Sequence, residues 1–184
     1  ILEGGCGLGR HVKSLSLLGY SATGIDFAEQ TVAKVKRQNP SLDIRVGDVR
    51  KLPFEDSSFD GYWSLGVIEH FWEGFNDIAH EMARVIRPDG YLFVTFPSMS
   101  WLRTFKATRG LYRLWGQSDK PSNFYQFALD SNNVVQKIES FGFVLINKRQ
   151  LDGAKGIRDE MPLKISIKKH LQSPSNVYLK GLNT

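Results

Sequence analysis

ILEGGCGLGR, residues 1–10, places four glycines within the six positions from Gly4 to Gly9. A strand-like segment precedes them, and residues 10–18 follow with apolar side chains at helical spacing. Glycine loses more conformational freedom than any other residue when a chain folds, so this cluster needs a structural reason. A glycine loop between a strand and a helix lets a ligand pack against bare backbone, and the free N–H groups at the start of the helix favour a negative group.

Strand-like and helix-like segments alternate along the rest of the chain. The strand-like segments are SATGID (21–26), LDIRV (42–46), FDGYWSL (59–65) and YLFVTF (91–96). The helix-like segments are AEQTVAKVKRQ (28–38) and FNDIAHEMARVI (75–86), and the second half adds a predicted helix at 131–140 and strands at 143–149 and 177–180. This order predicts an α/β fold, a Rossmann-like, doubly wound, mostly parallel sheet with helices on both faces.

Length and composition are typical of one folded domain. The 184 residues, 41% of them hydrophobic, predict a single domain over 1–184. The chain begins inside a strand and without Met, so we expect an N-terminally truncated sequence. The single cysteine, Cys6, excludes an internal disulfide and favours a reducing, cytoplasmic location. No segment approaches the roughly 20 apolar residues of a membrane span.

The positive charge is concentrated in two segments. The net charge is +5, and residues 101–115 and 161–184 each carry four Lys or Arg without an acid, which leaves 5 − 8 = −3 for the remainder. A nucleic-acid-binding protein is more often basic over a whole face, so the distribution makes nucleic acid an unlikely partner.

Two acids follow the predicted second and third strands. Asp26 comes seventeen residues after Gly9, where a carboxylate can accept hydrogen bonds from both hydroxyls of a ribose. The alternative is that Asp26 caps the helix that begins near Ala28. Nicotinamide dinucleotides and S-adenosylmethionine both carry this ribose, so Asp26 does not distinguish them. Asp48 lies just past the third strand.

With these motifs the chain resembles the class I S-adenosylmethionine-dependent methyltransferases that act on small molecules. LEGGCGLG is similar to their first motif, GID to the second, and GDVRKLPFEDSSFD to the third and the start of the fourth strand. VIEHF and EMARVIRPDGYLFV continue the resemblance to about residue 97, and SFGF at 140–143 extends it more weakly. Gly4 departs from the pattern, since the family usually has an aliphatic residue there.

The resemblance implies a set of cofactor contacts. An acid at the end of the first strand holds the ammonium of the methionine, the glycine loop lies along the carboxylate and ribose, and the acids after the second and third strands take the ribose hydroxyls and the adenine amino group. An aromatic residue covers the adenine, and a carbonyl at the end of the fourth strand meets the ammonium. In this chain these positions are Glu3, Gly5, Cys6, Gly7, Gly9, Asp26, Phe27, Asp48, Val49 and Leu65. The product would be S-adenosylhomocysteine, and no metal is expected.

His70 is the candidate general base, because it follows the fourth strand at the rim of the expected site. A base is needed only if the acceptor carries a proton at neutral pH. A local role, in which His70 shapes the rim by hydrogen bonding, is the favoured interpretation.

The segment at about 98–128 is predicted to be a substrate lid. Arg103, Lys106, Arg109 and Arg113 step by three, three and four residues, so on one helix they would share a face, and Trp101, Phe105, Tyr112 and Trp115 add aromatic surface. The pattern predicts either a solvated face or a surface for an anionic or lipid-like acceptor or an acidic membrane. Gly110 weakens the prediction of one unbroken helix.

The predicted function is methyl transfer from S-adenosylmethionine to a small molecule. The basic segments add the prediction that the protein associates with an acidic membrane surface. Three alternatives stay open: an S-adenosylmethionine-binding protein without catalysis, a nucleic-acid methyltransferase, and an NAD-dependent oxidoreductase. The oxidoreductase would not need Asp48 or the Leu-Pro-Phe run, and the nucleic-acid enzyme is supported only by the two basic segments. The sequence does not predict the acceptor atom or the oligomeric state.

Overall fold

The computed structural model describes residues 1–111, 120, 122 and 124–149, together with the backbone of 177–181. Its strands are β1 (Leu2–Gly4), β2 (Thr23–Asp26), β3 (Asp43–Val46), β4 (Phe59–Leu65), β5 (Ile86–Thr95), β6 (Phe143–Lys148) and β7 (Val177–Gly181). Its helices are α1 (Arg10–Leu17), α2 (Glu29–Gln38), α3 (Asn76–Val85), α4 (Trp101–Thr108) and α5 (Ser131–Glu139), with a short 3₁₀ helix over Ile68–His70.

All of these strands form one sheet in the order β3-β2-β1-β4-β5-β7-β6. The five strands from β3 to β5 pair in parallel, and β7 pairs antiparallel with both β5 and β6. The chain moves outward from β1 to β3 and then returns to β4 on the other side of β1, so the strand order reverses between β1 and β4. This arrangement confirms the predicted doubly wound sheet and brings the loops after β1, β2 and β4 to one edge.

Helices cover both faces of the sheet, as predicted. One apolar cluster includes Ile78 and Val85 of α3 and Ile138 of α5, and it contains most of the buried core. The other cluster joins Val12 of α1 and Val32 of α2 to the strands at the β3 side. The spacing of the apolar residues in these helices predicts one buried face on each, and in the structure that face packs against the sheet.

An ion pair on α3 fixes the loop that precedes β4. The guanidinium of Arg84 donates to the carbonyls of Phe54 (2.7 Å) and Leu52 (3.1 Å) and to the carboxylate of Glu81. Glu81 in turn accepts from the backbone N–H of Leu52 at 2.6 Å. Both carbonyls and the N–H of this loop thus have partners, and the loop is held against α3.

Pro88–Gly90, a turn-like sequence, lies inside β5 as an irregularity of the strand. Phe59 pairs with Ile86 and Gly61 with Tyr91, so four residues of β5 face one residue of β4. Asp89 has a φ of 61°, the left-handed conformation that Asp tolerates better than most side chains.

Every helix in the described part of the chain is too short or too polar to cross a membrane.

Candidate functional site

The glycine loop lies at the carboxyl end of β1, where the backbone N–H groups of Gly5 and Cys6 both donate to the carbonyl of Ile25 in β2. Gly5, Gly7 and Gly9 have φ values of 72°, 50° and 65°. At this φ a side chain is strained, so each position requires glycine on conformational grounds.

The three glycines differ in what surrounds them. A Cβ at Gly5 would lie 3.3 Å from Cγ1 of Val67, with another methyl of Val67 closer still, and a Cβ at Gly9 would collide with the Cδ1 methyl of Ile44. A Cβ at Gly7 would meet no described atom within 4 Å. Gly5 and Gly9 are therefore needed for packing, whereas the space beside Gly7 is open and can receive a ligand.

Asp26 joins the glycine loop to the start of α2. Its Oδ2 accepts from the backbone N–H of Gly7 at 2.8 Å, and its Oδ1 accepts from the N–H of Ala28, the residue before α2, at 2.9 Å. The alternative that Asp26 caps the helix is wrong, because Ala28 is the N-cap of α2 and no side chain accepts a capping hydrogen bond there; Asp26 instead bonds the N–H of Ala28 itself. Each carboxylate oxygen has a second lone pair, so these bonds leave acceptor capacity for hydroxyls of a ligand.

Glu3 is a buried carboxylate behind the loop. Its Oε2 accepts from the N–H of Val12 in the first turn of α1 at 3.1 Å, and the side chain is 3% exposed. Burial raises the pKa of Glu3 to about 7, the Val12 hydrogen bond opposes the rise, and the negative charge of Asp26 adds to it. A cationic group bound beside Glu3 and Asp26 would relieve this accumulation of negative charge.

Cys6 has its side chain in the core. It is buried and packs against β2, since a Cβ at Gly24 would lie 3.0 Å from the Cβ of Cys6. Burial, with smaller effects of Glu3 and Asp26, raises the pKa of the thiol to about 12. A thiol that stays protonated is a poor nucleophile, so only the backbone of Cys6 is placed to line the site.

The residues predicted to hold the adenine lie at the ends of β2 and β3. Phe27 is 81% exposed and Val49 is buried, and the carbonyl of Asp26 accepts from the N–H of Gly47. Asp48 is engaged by Arg50, whose Nη2 lies 2.6 Å from Oδ2, and this partner holds the pKa of Asp48 below its usual value. The sequence prediction missed Arg50, and an adenine amino group at Asp48 would share the carboxylate with it.

The turn after β4 lies against the glycine loop through Val67, and Leu65 ends the strand beside Thr95. Glu69 in this turn was also missed by the sequence prediction. Its side chain is 2% exposed, Oε2 has no hydrogen-bond partner in the described part of the chain, and burial raises its pKa. An acid beside a histidine directly after a strand was the signal that could have identified it.

Two hydrogen bonds, which we call the clasp, join His70 and its neighbour Glu69 to the segment that leads into α5. Its Nδ1 lies 2.7 Å from the carbonyl oxygen of Tyr125, and the backbone carbonyl of Glu69 accepts from the N–H of Phe127 at 2.9 Å. A carbonyl can only accept, so Nδ1 carries the hydrogen and Nε2 of the neutral ring keeps a lone pair. This clasp agrees with a rim-shaping role, and the Nε2 lone pair leaves proton acceptance chemically open.

The prediction that one unbroken helix carries the basic residues from 103 to 113 is wrong. The helix α4 ends at Thr108, and Gly110 follows with a φ of 72°. Arg103 donates to the carbonyl of Ser98 at 2.9 Å and is half-buried, as is Lys106, whereas the guanidinium of Arg109 lies 4.1 Å from the ring centroid of Phe105. Arg113 lies outside the described residues. Of the described cations, only Arg103 and Lys106 lie within α4, and Arg109 is its C-cap.

Among the described residues, no group of three or more His, Cys, Asp or Glu side chains is placed to hold a metal ion.

Comparison with known proteins gives concordant matches. The family described as "Methyltransferase domain" matches residues 2–94. A probable S-adenosylmethionine-dependent methyltransferase of Mycolicibacterium smegmatis is 33% identical over 144 residues, which are 78% of this chain and 51% of that protein. A phthiotriol/phenolphthiotriol dimycocerosates methyltransferase of Mycobacterium ulcerans is 36% identical over 99 residues, 52% of this chain and 36% of that protein.

A solved structure of an S-adenosylmethionine-dependent methyltransferase from Methanosarcina mazei superimposes with a TM-score of 0.74 at 20% identity. The match covers 100% of this chain and 92% of that one, and it shows a shared fold.

The chain therefore belongs to the class I S-adenosylmethionine-dependent methyltransferase family, as its glycine loop and sheet order indicate. It spans about half, 51%, of the length of the M. smegmatis relative.

Proposed function

We propose that this protein binds S-adenosylmethionine at the carboxyl ends of β1 and β2 and transfers its methyl group to a small-molecule acceptor. The observation that supports the proposal most is the open space beside Gly7, whose N–H is held by the carboxylate of Asp26. The buried carboxylate of Glu3 is close enough to Asp26 for the negative charge of Asp26 to raise its pKa. The methionine end of the cofactor carries an ammonium and a sulfonium, and Glu3 is the carboxylate that would hold the ammonium, with the carbonyl of Leu65. Asp26 would hold the ribose hydroxyls.

The adenine end follows from the strand order. With the ribose at Asp26, the base extends toward β3, where Phe27 is exposed and can cover one ring face. Asp48 would accept from the amino group beside Arg50, and the N–H of Val49 would meet a ring nitrogen. These contacts use residues on neighbouring strand ends, which is where ligands of doubly wound sheets bind.

Methyl transfer needs little covalent help from the protein, because a sulfonium already makes its methyl carbon electrophilic. The chain must hold the acceptor atom in line with that carbon, about 3 Å away, and exclude water, which can contribute several kcal/mol. For an acceptor with a hydroxyl, the Nε2 lone pair of His70 is the candidate proton acceptor. For an acceptor that is already nucleophilic, His70 would act only on the shape of the rim.

The proposed acceptor is a small anionic or lipid-like molecule. The M. ulcerans relative is, by its name, a methyltransferase of phthiotriol and phenolphthiotriol dimycocerosates. In this chain, α4 presents exposed Trp101 and Phe105 next to basic residues, a combination that suits an apolar or anionic acceptor.

Calorimetry with S-adenosylmethionine, S-adenosylhomocysteine and NAD tests the proposal. We expect the first two ligands to bind in the micromolar range with one site and NAD not to bind. Binding of NAD alone would favour the oxidoreductase and overturn the proposal. Turnover is then followed by S-adenosylhomocysteine release with quinol, phenol, fatty-acid and RNA acceptors. Cofactor binding without turnover on any of them would favour the non-catalytic alternative, and turnover on RNA alone the nucleic-acid enzyme.

A further inference from the structure

We propose that the outer face of α4 docks on the surface of an anionic lipid bilayer. We define the outer face as Trp101, Thr104, Phe105 and Thr108. The inference deepens the proposed function, since a membrane is where a lipid-like acceptor would be met. Membrane binding itself does not require cofactor or methyl transfer, so it can be tested separately.

The first observation is the exposure of the aromatic residues. None of the eight residues of α4 is buried, Trp101 is 76% exposed and Phe105 is 47% exposed. They are four residues apart and therefore lie one above the other on the same side of the helix. Leu111, which follows the helix end, is also exposed, at 71%. Tryptophan and phenylalanine on one side of a helix are typical of helices that lie in the interface of a bilayer.

The second observation is the charge around this face. Residues 90–118 contain no Asp or Glu, and Arg103, Lys106 and Arg109 are the charged residues of α4 and its C-cap. The guanidinium of Arg109 lies over the ring of Phe105, 4.1 Å from its centroid, so a positive charge accompanies the aromatic surface of the outer face. Aromatic side chains together with cations are complementary to the interface of a bilayer with anionic headgroups.

This composition favours a bilayer over a nucleic acid. A protein surface that binds nucleic acid presents a row of cations that follows the phosphates of the backbone. Here the most exposed positions of the helix are apolar or threonine, and Arg103 and Lys106 are half-buried. The outer face offers apolar area that phosphates would not use.

The third observation is where α4 is attached. Ser100 caps the helix by accepting from the N–H of Arg103, and the preceding residues Pro97 and Met99 exchange backbone hydrogen bonds with Leu129 at 2.8 and 2.9 Å. The helix thus begins directly after the carboxyl end of β5, at the same edge of the sheet as the glycine loop. Docking through α4 would bring that edge, with the proposed cofactor site, toward the membrane.

A second exposed apolar pair provides a matched control. Leu17 and Leu18 are 77% and 74% exposed at the end of α1, which leads to the amino end of β2. This pair is at the opposite edge of the sheet from the glycine loop. If exposed apolar area alone caused vesicle binding, the double variants W101S/F105S and L17S/L18S would weaken it equally.

The test is flotation of the full chain with vesicles of phosphatidylcholine alone and with 30% phosphatidylglycerol, at about 50 and 300 mM salt. We expect binding to the anionic vesicles that is at least tenfold weaker for W101S/F105S and unchanged for L17S/L18S. R109E should weaken it by about fivefold or more at low salt and less at high salt, since a cation near an anionic surface contributes roughly this factor. All of these side chains are exposed, so the variants should fold, and circular dichroism checks this.

Three results would overturn the proposal: no binding to anionic vesicles at low salt, equal binding to both vesicle types, or equal loss for the two double variants. Binding of a short duplex DNA that is lost in W101S/F105S would also contradict it. Calorimetry with S-adenosylhomocysteine separates the two proposals, because W101S/F105S should retain cofactor affinity. If the unaltered chain binds vesicles but not the cofactor, the proposed function fails and the membrane surface stands.

Discussion

The phenol ring of Tyr62 in β4 occupies the space in which a side chain at Gly4 of β1 would begin. A Cβ at Gly4 would lie 2.6 Å from Cζ of Tyr62 and closer still to its hydroxyl. Tyr62 pairs with Leu2 in the sheet, is completely buried, and its hydroxyl has no hydrogen-bond partner among the described residues. The absence of a side chain at Gly4 thus makes room for a large residue on the neighbouring strand.

Gly4→Ala should therefore destabilise the protein by about 1–3 kcal/mol through overpacking, measured by urea unfolding. Tyr62→Leu, which shortens the side chain, should reduce this cost, so the two substitutions should couple in a double-mutant cycle. Tyr62→Phe should leave stability unchanged or raise it, because it removes a buried hydroxyl without a partner. Additive effects of Gly4→Ala and Tyr62→Leu would show that the two residues do not compete for this space.

Gly7→Ala and Gly9→Ala should have different effects. A side chain at Gly7 enters open space, so Gly7→Ala should cost about 1 kcal/mol for its positive φ and weaken S-adenosylhomocysteine binding by far more than tenfold. A side chain at Gly9 meets Ile44, so Gly9→Ala should chiefly lower the melting temperature. Calorimetry and thermal unfolding on the same samples check both. Normal affinity in Gly7→Ala would mean that the loop does not contact the cofactor.

Asp26→Ala should lower cofactor affinity at least tenfold, since each lost hydrogen bond to a charged group is worth roughly 1.5–3 kcal/mol. It should also reduce stability, because the N–H groups of Gly7 and Ala28 lose their acceptor. Asp26→Asn keeps one oxygen, so its cofactor affinity and stability should lie between those of the unaltered chain and those of Asp26→Ala. The control is Asp43→Ala, which removes a carboxylate at the start of β3, away from the site, and should leave affinity unchanged. Unaltered affinity in folded Asp26→Ala would contradict the ribose assignment.

Glu3 should make stability depend on pH in the ligand-free protein. Its pKa is raised from 4.5 to about 7 on folding, so its contribution is most favourable below pH 4.5 and is lost as the pH rises to about 7. Glu3→Gln stays neutral, and above pH 7 it should be more stable than the unaltered chain by up to about 3 kcal/mol. Melting temperatures of both proteins between pH 4 and 8 measure the difference, and a constant difference over this range would refute the burial argument.

Cofactor binding should release a proton near pH 6.5 if the ammonium lies beside Glu3. A bound cation favours the carboxylate and lowers the pKa that burial has raised. Calorimetry in two buffers of different ionisation enthalpy measures the protons released, and Glu3→Gln should abolish the release. Proton release that persists in Glu3→Gln would assign it to another group, with the buried Glu69 the first candidate.

His70→Ala should reduce turnover by less than about 10²-fold and change cofactor affinity by a few fold, since it breaks the clasp to the Tyr125 carbonyl. Tyr125→Ala is the matched variant, because it removes the ring that contacts His70 and leaves the backbone carbonyl in place. A loss in the range of about 10²–10⁴-fold or more for His70→Ala, with affinity intact and Tyr125→Ala normal, would instead identify His70 as a general base.

Local sequence patterns predicted most of the architecture. Apolar spacing in segments such as 75–86, and the glycine loop between a strand and a helix, depend on neighbours within a few residues. The alternation of strands and helices along the chain then implied a doubly wound sheet, because parallel strands are usually joined by helical crossovers. The resemblance to methyltransferases, which extends to about residue 97, includes the part of the chain that the family model matches, residues 2–94.

Long-range contacts decided the rest. The insertion of β7 between β5 and β6 depends on pairing between strands that are far apart in the chain, and no local pattern specifies it. The same holds for Tyr62 above Gly4, for the clasp of His70 on Tyr125, and for the different surroundings of Gly5, Gly7 and Gly9. The sequence by itself determined the order of helices and strands and the location of the loop, because these follow from local spacing. Only the tertiary structure decided which glycine faces open space and which face of α4 is exposed, because both depend on side chains that folding brings together.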